Sequence, residues 1–441
     1  MDGRWRVGRC AVATSVLVLA FGAASGSAQA APGNPRVPGG ATTIFLEDFE
    51  NVATPATAVF LNTYTGVGPL NMTYTAHPAW INGPACDGII GSFNSNAGTT
   101  GCSATVYNTF IRPVAQAIGN VFGGGDDNQV LADVTATGAV PAPVNAATFQ
   151  TATPVPLPSS NRFITFSVDV GVTTCSAPAD PLLRFFLVDG ATDIPTTATD
   201  INPCTDPRGT LVSPGGAGGI RVGSFPTDTA ILFGGSAVGV KLANAQTSGA
   251  GNDYSIDNVR ILDATPQLDK AFVADVQTNQ AARLVLTVTN TNELASKAGW
   301  SFTDSLPAGL QVSATPNTSV TCQDSGGTPT PPTPANPVNV TAAGGGTSIA
   351  VAGNLKAGDA YCEVGIDVAA VGGLPGTFTN DSANVTSRVG LDAPGSASVT
   401  FGPVVGIPLL SPVVAGGGAL VAAVVGGVAL VRRRRTGDAA S

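Results

Sequence analysis

Short runs in which apolar and polar residues alternate make up most of the chain, and this pattern limits it to β-structure. In Arg162 to Val170 (RFITFSVDV) every second residue is apolar, so one face of the segment can be buried while the other stays polar. Clusters of Gly, Pro, Asn and Asp separate these runs, and helical periodicity is almost absent before residue 413. Antiparallel sandwiches have this pattern, because each strand buries one face against another sheet. We therefore predict an all-β fold.

The strand-like runs fall into two series, which predict two β-sandwiches. The first series occupies residues 42–264 and the second residues 267–402, with a boundary at ATPQ (264–267). Roughly seven short strands in the second series fit an immunoglobulin-like sandwich. Residues 31–41 and 403–412 are interpreted as linkers. The chain between these linkers is long enough for two sizeable cores.

The N-terminus has the features of a secretory signal. An apolar stretch from Ala11 to Ala24 follows three arginines, and Ala28-Gln29-Ala30 fits a signal-peptidase site. Residues 1–30 are therefore predicted to be a signal peptide. A retained membrane helix is the less favoured alternative, because the apolar run is short and is interrupted by Thr14, Ser15 and Gly22.

The C-terminus has the features of a membrane anchor. Residues 413–431 are uncharged, and as a helix they would span about 28 Å, close to the hydrocarbon thickness of a bilayer. Four arginines, Arg432 to Arg435, follow within the tail 432–441, and basic flanks stay on the cytoplasmic side. We therefore predict a single-pass protein of the cell membrane, with its N-terminus outside and its C-terminus in the cytoplasm.

Cysteine usage agrees with export. Six cysteines remain after the predicted signal, and their spacing favours three local disulfides: Cys86 with Cys102, Cys175 with Cys204, and Cys322 with Cys362. No couple has the CxxC spacing of a zinc or redox site. Structural disulfides in an oxidising compartment are the favoured interpretation.

The acidic composition of the predicted exterior part argues against nucleic acid as a partner. Residues 31–431 contain 13 Lys plus Arg and 27 Asp plus Glu, so the predicted exterior part is acidic. Such a surface has no electrostatic footprint for nucleic acid, and we predict none as a partner.

Two family resemblances follow from particular motifs. Residues 268–401 contain LDKAF, LVLTVTNTN, FTDSLPAGLQV, AGDAYCEVGIDV and PGTFTNDSANVTS, and they resemble the DUF11-type domains of bacterial surface proteins. The resemblance implies an immunoglobulin-like fold, and it brings no catalytic residues.

In the first series, FLEDFE (45–50) and YSIDNVRIL (254–262) resemble the terminal strands of jelly-roll carbohydrate-binding-like modules. That resemblance implies a structural calcium held by Glu50 or Asp48 together with Asp257, since calcium prefers carboxylate and carbonyl oxygens. Solubilising carboxylates at strand ends are the alternative. Asp126-Asp127 is a second candidate, for which an acidic turn is the favoured interpretation.

The jelly-roll resemblance also raises the possibility of sugar binding, which uses exposed aromatic platforms. The candidates for such a platform in the first series are Tyr64, Tyr74, Trp80, Phe93 and Tyr107. Packing explains them equally well, because aromatic residues are enriched in strands.

The sequence favours a protein without enzymatic activity. His77 is the one histidine of the chain, and no GxSxG motif accompanies it, so a Ser-His-Asp triad and a zinc site are both disfavoured.

Lys270 could form an amide with an asparagine such as Asn384, but an ordinary solvated lysine is preferred. The function predicted is a structural or adhesive role at the bacterial cell surface, with a glycan or surface-protein ligand. A carbohydrate-binding receptor and a carboxylate-based glycoside hydrolase are the alternatives.

Overall fold

The computed structural model describes residues 34–404, except 54, 68–69, 136–142, 174, 176–178, 213–218, 228 and 247–251. The predicted signal peptide, the predicted transmembrane helix 413–431 and the basic tail lie outside the described residues. Within the described part, no helix has the length and apolarity needed to cross a membrane.

The first half of the described chain is a sandwich of two sheets. Its strands are β1 (Thr42–Glu47), β2 (Val59–Phe60), β3 (Tyr74–Thr75), β4 (Asp87–Gly91), β5 (Val130–Asp133), β6 (Ala147–Thr151), β7 (Val155–Pro156), β8 (Arg162–Val172), β9 (Leu183–Asp189), β10 (Thr192–Pro195), β11 (Thr210–Val212), β12 (Ile220–Pro226), β13 (Thr229–Phe233), β14 (Ala237–Asn244) and β15 (Tyr254–Asp263). One sheet has the order β2-β4-β5-β15-β8-β13, with β1 on β15, β12 on β8 and β11 on β12. The other has the order β10-β9-β14-β6-β3, with β7 on β14. Both contribute to one apolar core that includes Phe166, Phe185 and Leu242.

A helical segment that the sequence analysis missed covers the outer face of the first sheet. It comprises α1 (Ala104–Val106), the π-helical residues Tyr107–Ile111 and α2 (Arg112–Phe122). Val114 and Ile118 of α2 lie on Gly171 of β8, where an added Cβ would be 2.6 Å from a Val114 methyl carbon. The close approach therefore requires glycine at this position. Short 3₁₀ turns occur at Leu61–Thr63, Pro78–Trp80, Gly83–Ala85, Gly125–Asp127, Val371–Gly373 and Ser382–Asn384.

The second half is also a sandwich. Its strands are β16 (Gln267–Phe272), β17 (Val276–Gln277), β18 (Ala282–Thr289), β19 (Ser296–Ser305), β20 (Leu310–Val312), β21 (Ser319–Asp324), β22 (Val338–Thr341), β23 (Ser348–Leu355), β24 (Asp359–Ala370), β25 (Gly376–Asn380), β26 (Val385–Val389) and β27 (Ala397–Gly402). One sheet has the order β16-β18-β24-β20, with β21 on β24. A second joins β22, β23, β19 and β26, and a third has the order β17-β27-β25. Trp300, Ile366 and Phe401 lie in their common core.

The two sandwiches are continuous with each other, and the described chain up to Pro403 belongs to one compact unit. Strands β13 and β19 pair in parallel, so a sheet of the first sandwich continues into the second. Phe163 of β8 lies in the core of the second sandwich. The segment interpreted as an N-terminal linker also packs there, where Arg36 pairs with Glu363 at 2.7 Å.

Three disulfides brace the structure, and they join the couples that the sequence spacing favours. The bonds are Cys86–Cys102, Cys175–Cys204 and Cys322–Cys362. Cys322 and Cys362 are directly opposite each other on β21 and β24, and both lie in the core of the second sandwich.

Candidate functional site

Two of the three carboxylates predicted to hold calcium lie beside the same turn. Glu50 Oε1 accepts a hydrogen bond from the backbone nitrogen of Gln129 at 2.8 Å. Asp257 Oδ2 accepts one from Asn128 Nδ2 at 3.0 Å. Asp48 follows β1 and accepts from the backbone nitrogen of Glu50 at 3.2 Å. The adjacent residues Asn128 and Gln129 therefore hold Glu50 and Asp257 on the same side of the first sandwich.

Asp169 belongs to the same acidic group, and the sequence analysis missed it. It is directly opposite Asp257 on the paired strands β8 and β15. Its Oδ2 atom accepts from Arg260 at 3.3 Å, while Oδ1 is buried without a hydrogen-bond partner among the described residues. The alternating pattern of β8 places Asp169 on the polar face. That face is covered because α2 packs on neighbouring Gly171.

Burial changes the acidity of this group. Desolvation raises the pKa of Asp257 well above its ordinary value, against a hydrogen bond from Asn128 that lowers it. Partial desolvation raises the pKa of Glu50 to about 6, with Asp48 and Asp127 adding to the shift. The carboxylates therefore hold protons at higher pH than ordinary surface acids.

The predicted calcium ligands do not converge on a common point. Within the described ranges, three potential ligand atoms come within 4.8 Å of one another at Cys322, Asp359 and Cys362, and the two sulfurs there form a disulfide. Calcium takes roughly six to eight oxygen ligands. In the present arrangement Glu50 Oε1 and both carboxylate oxygens of Asp257 accept hydrogen bonds from N–H donors. The calcium site remains a prediction.

The second candidate, Asp126-Asp127, is an acidic turn with internal partners. Asp126 Oδ1 accepts from Gln116 at 2.8 Å, and Asp127 Oδ1 accepts from Asn94 at 2.7 Å. Both carboxylates thus connect the 3₁₀ turn to the helix and to the segment after β4.

The aromatic residues considered for sugar binding are used inside the fold. Tyr64, Tyr74, Trp80 and Tyr107 are buried, each at most 5% exposed. Tyr64 and Tyr74 both donate hydrogen bonds to the buried carboxylate of Glu47. Half-buried Phe93 packs under the guanidinium of Arg112, 5.6 Å from the ring centre. These side chains do not form an exposed platform.

His77 also has a structural role. It precedes the 3₁₀ turn Pro78–Trp80, and its Nδ1 accepts from the backbone nitrogen of Ala79 at 3.2 Å. A side chain that accepts from the first turn caps it.

A pair of buried aspartates is a further feature that the sequence analysis missed. Asp87 of β4 is opposite Asp133 of β5, and each is 1% exposed. Asp133 Oδ1 accepts from the backbone nitrogen of Gly88 at 3.0 Å. Burial raises the pKa of both carboxyls, and for Asp87 the charge of Asp133 adds to the effect. Because two ionised carboxylates repel each other strongly in a buried site, this pair favours a protonated form.

Lys270 is not the solvated lysine that we expected. It is 8% exposed overall. Its ammonium group donates a hydrogen bond to Asn380 of β25, not to Asn384. Asn384 accepts from the backbone nitrogen of Asp381 and closes the capping box of the turn Ser382–Asn384. The expectation was wrong because the face of β16 that carries Lys270 is turned into the sandwich.

Comparison with known proteins gives one family match. Residues 266–401 match the model of DUF7933, a domain of unknown function. The matching model is therefore DUF7933, not the DUF11 family that the motifs resemble. A search of curated proteins finds no match.

Solved structures give weak similarities. The major pilin subunit BcpA of Bacillus cereus is 14% identical, with a TM-score of 0.23 over 54% of this chain and 69% of the pilin. The collagen-binding domain of the Erysipelothrix rhusiopathiae surface protein RspB is 10% identical, with a TM-score of 0.21 over 58% of this chain and 90% of that domain. Similarity at this level establishes neither a shared fold nor a shared function.

Proposed function

We propose that the protein is a non-enzymatic structural or adhesive component of the bacterial cell surface. The observation that carries this proposal is the set of three disulfides, two in the first half of the chain and one in the second. Such bonds persist in oxidising compartments and are rare in the cytosol. The predicted signal peptide and membrane anchor agree with a position outside the membrane.

The use of reactive side chains supports a role without catalysis. The six cysteines of the predicted mature chain are in disulfides, and His77 caps a turn. The carboxylates of Glu50 and Asp257 accept hydrogen bonds from neighbouring protein groups. These groups stabilise the fold in their present arrangement.

Topology is tested by removing the anchor. The full chain and a chain ending at residue 404 are expressed in a bacterial host, and membrane, cell-wall and medium fractions are compared. We expect the full chain in the membrane fraction, digestible by protease added to intact cells, and the truncated chain in the medium. Membrane retention of the truncated chain, or protection of the full chain from external protease, contradicts the proposed location.

The structural or adhesive role is tested by deleting the gene in the source bacterium. We expect weaker attachment to surfaces or lower envelope resistance to detergent, restored by the full chain but not by the chain ending at residue 404. Unchanged attachment and unchanged resistance contradict the proposed role.

The glycan-receptor alternative needs its own experiment. Residues 31–404 are tested against a polysaccharide panel with calcium and with chelator, beside Asp257→Asn and the turn control Asp126→Asn. We expect no saturable binding, because Tyr64, Tyr74, Trp80 and Tyr107 are buried and cannot serve as a sugar platform. Saturable binding that chelation and Asp257→Asn both abolish would establish a calcium-dependent lectin instead.

A further inference from the structure

A lysine, an aspartate and an asparagine from three strands meet inside the second sandwich. Lys270 is on β16, Asp304 on β19 and Asn380 on β25. The side chains of Lys270 and Asp304 are both 0% exposed, and Asn380 is also fully buried. Lys270 and Asn380 are 110 residues apart in the sequence, so the fold alone brings them together.

The three groups contact one another directly. Lys270 Nζ lies 2.7 Å from Asn380 Oδ1 and 3.6 Å from Asp304 Oδ1. Asn380 Nδ2 donates to Asp304 Oδ2 at 2.7 Å. The carboxyl group of Asp304 therefore lies beside both the amine of Lys270 and the amide nitrogen of Asn380. The amine is in contact with the carboxamide.

The burial of Lys270 and Asp304 favours the neutral form of the Lys270 amine. Desolvation lowers the pKa of Lys270 and raises that of Asp304, while the attraction between the two charges opposes both shifts. Transfer of one proton from Lys270 to Asp304 removes both buried charges. It leaves a neutral amine, which is a nucleophile, and a neutral carboxylic acid.

We propose that Lys270 and Asn380 form an intramolecular amide, with Asp304 transferring the protons. Lys270 Nζ attacks Cγ of Asn380, a new C–N bond forms, and the bond from Cγ to Nδ2 breaks. Asp304 protonates the departing nitrogen and takes a proton from the attacking one, so ammonia leaves. Asp304 therefore ends as a neutral acid, carrying the proton that it took from the attacking nitrogen. No oxidant, reductant or cofactor is needed for this balance.

Lys297 is a second buried lysine in the same sandwich, and within the described part of the chain it lacks one feature of the Lys270 group: a carboxyl group that accepts from the amide nitrogen of the asparagine. Lys297 Nζ also contacts an amide oxygen, that of Asn290, and it pairs with Glu293. However, Asn290 Nδ2 donates to the backbone carbonyl oxygens of Asp359 at 2.8 Å and Ala295 at 3.3 Å. Among the described residues, the nitrogen that would have to leave therefore donates to backbone carbonyl oxygens and not to a carboxylate. We expect Lys297 to remain an ordinary lysine.

The proposed bond would clamp the second sandwich between its ends. β16 is its first strand, and β25 pairs with β27, its last. The bond encloses the disulfide Cys322–Cys362 within a larger covalent loop. This inference concerns the maturation of the chain and is independent of the proposed function.

The mass of the purified full-length protein tests the bond without any variant. We expect the mature chain with three disulfides to be lighter than its sequence predicts by one ammonia. After reduction and trypsin digestion, residues 261–283 and 357–388 should appear as one branched peptide joined through Lys270 and Asn380. Two separate peptides, with cleavage after Lys270, overturn the proposal. An ammonia loss confined to Asn380, without the branch, also overturns it.

Variants then separate the role of Asp304. In Asp304→Asn and Asn380→Ala we expect the branched peptide to disappear and the mass to return to the sequence value. Asn384→Ala is the matched control, because Asn384 lies on the adjoining turn without contacting Lys270; it should retain the bond. Circular dichroism identifies the variants that remain folded. A branched peptide in folded Asp304→Asn refutes the proton-transfer role, and its loss in folded Asn384→Ala refutes the assignment to Asn380.

Discussion

At the scale of single residues, the fold depends on buried carboxylates whose donors come from the protein, and Glu47 is an example. Its side chain accepts from Tyr64 at 2.8 Å, from Tyr74 and from the backbone nitrogen of Phe49 at 2.6 Å. Glu47→Ala leaves these buried donors without their acceptor, so we expect the free energy of unfolding to fall by about 3 kcal/mol. Urea titration of residues 31–404 measures it, with Leu46→Ala at an exposed neighbouring position as the control. Equal losses in the two variants would contradict this role.

The aspartate pair predicts an unusual pH dependence. Burial, with the charge of Asp133, raises the pKa of Asp87 from 3.8 to about 9. The folded state then keeps a proton that the unfolded state has lost, so stability is expected to fall as pH rises from about 4 towards 9. Asp87→Asn removes this titration, so its stability should exceed that of the unmodified protein at alkaline pH. Urea midpoints across the pH range measure this. The exposed substitution Asp189→Asn should leave the profile unchanged, and identical profiles for all three proteins rule out the pair as its cause.

At the scale of elements, the disulfides should differ in their contribution to stability. Cys322–Cys362 joins β21 to β24 across a separation of 40 residues, whereas Cys86–Cys102 spans 16. Loop-closure entropy predicts about 4 kcal/mol for the longer loop and about 3 kcal/mol for the shorter one. Replacing each couple by two alanines should therefore lower the unfolding free energy more for Cys322 and Cys362. Urea titration under non-reducing conditions gives both values, and the opposite ranking would show that native-state packing outweighs loop length.

The sequence predicts long strands better than short ones and better than buried polar groups. Strands such as β8 and β24 are visible because their apolar residues alternate over many positions. The two residues of β17 and the three of β20 lack such a pattern and are held by pairing with β27 and β24. The contact of Lys270 with Asn380 was missed for a related reason. A lysine is normally exposed, and only long-range packing turns this one inward.

At the scale of the whole molecule, alternation and the ATPQ segment indicated two sandwiches but not their continuity. Turn residues between two strand series are typical of a linker. Here the segment is buried instead: Ala264 is 0% exposed and Thr265 is 5% exposed. The parallel pairing of β13 with β19 depends on residues that are far apart in the sequence, so no local pattern contains it. For the same reason, the sequence indicated Glu50 and Asp257 as members of the acidic group but not Asp169. Asp169 joins the group only through the pairing of β8 with β15.

The junction between the sandwiches provides the last prediction. Arg162 bonds Asp263 of the first sandwich at 2.6 Å and also bonds Asp392, which lies between β26 and β27 of the second. Because removing one partner of a partly buried ion pair leaves the other charge uncompensated, Arg162→Ala should lower the unfolding free energy by about 3 kcal/mol. It should also speed amide hydrogen exchange at residues 264–267. Arg184→Ala is the matched control, since Arg184 pairs with Asp200 within the first sandwich and both are more exposed. If exchange at 264–267 rises equally in both variants, Arg162 does not hold the junction closed; a rise confined to Arg162→Ala means that a single guanidinium couples the two cores.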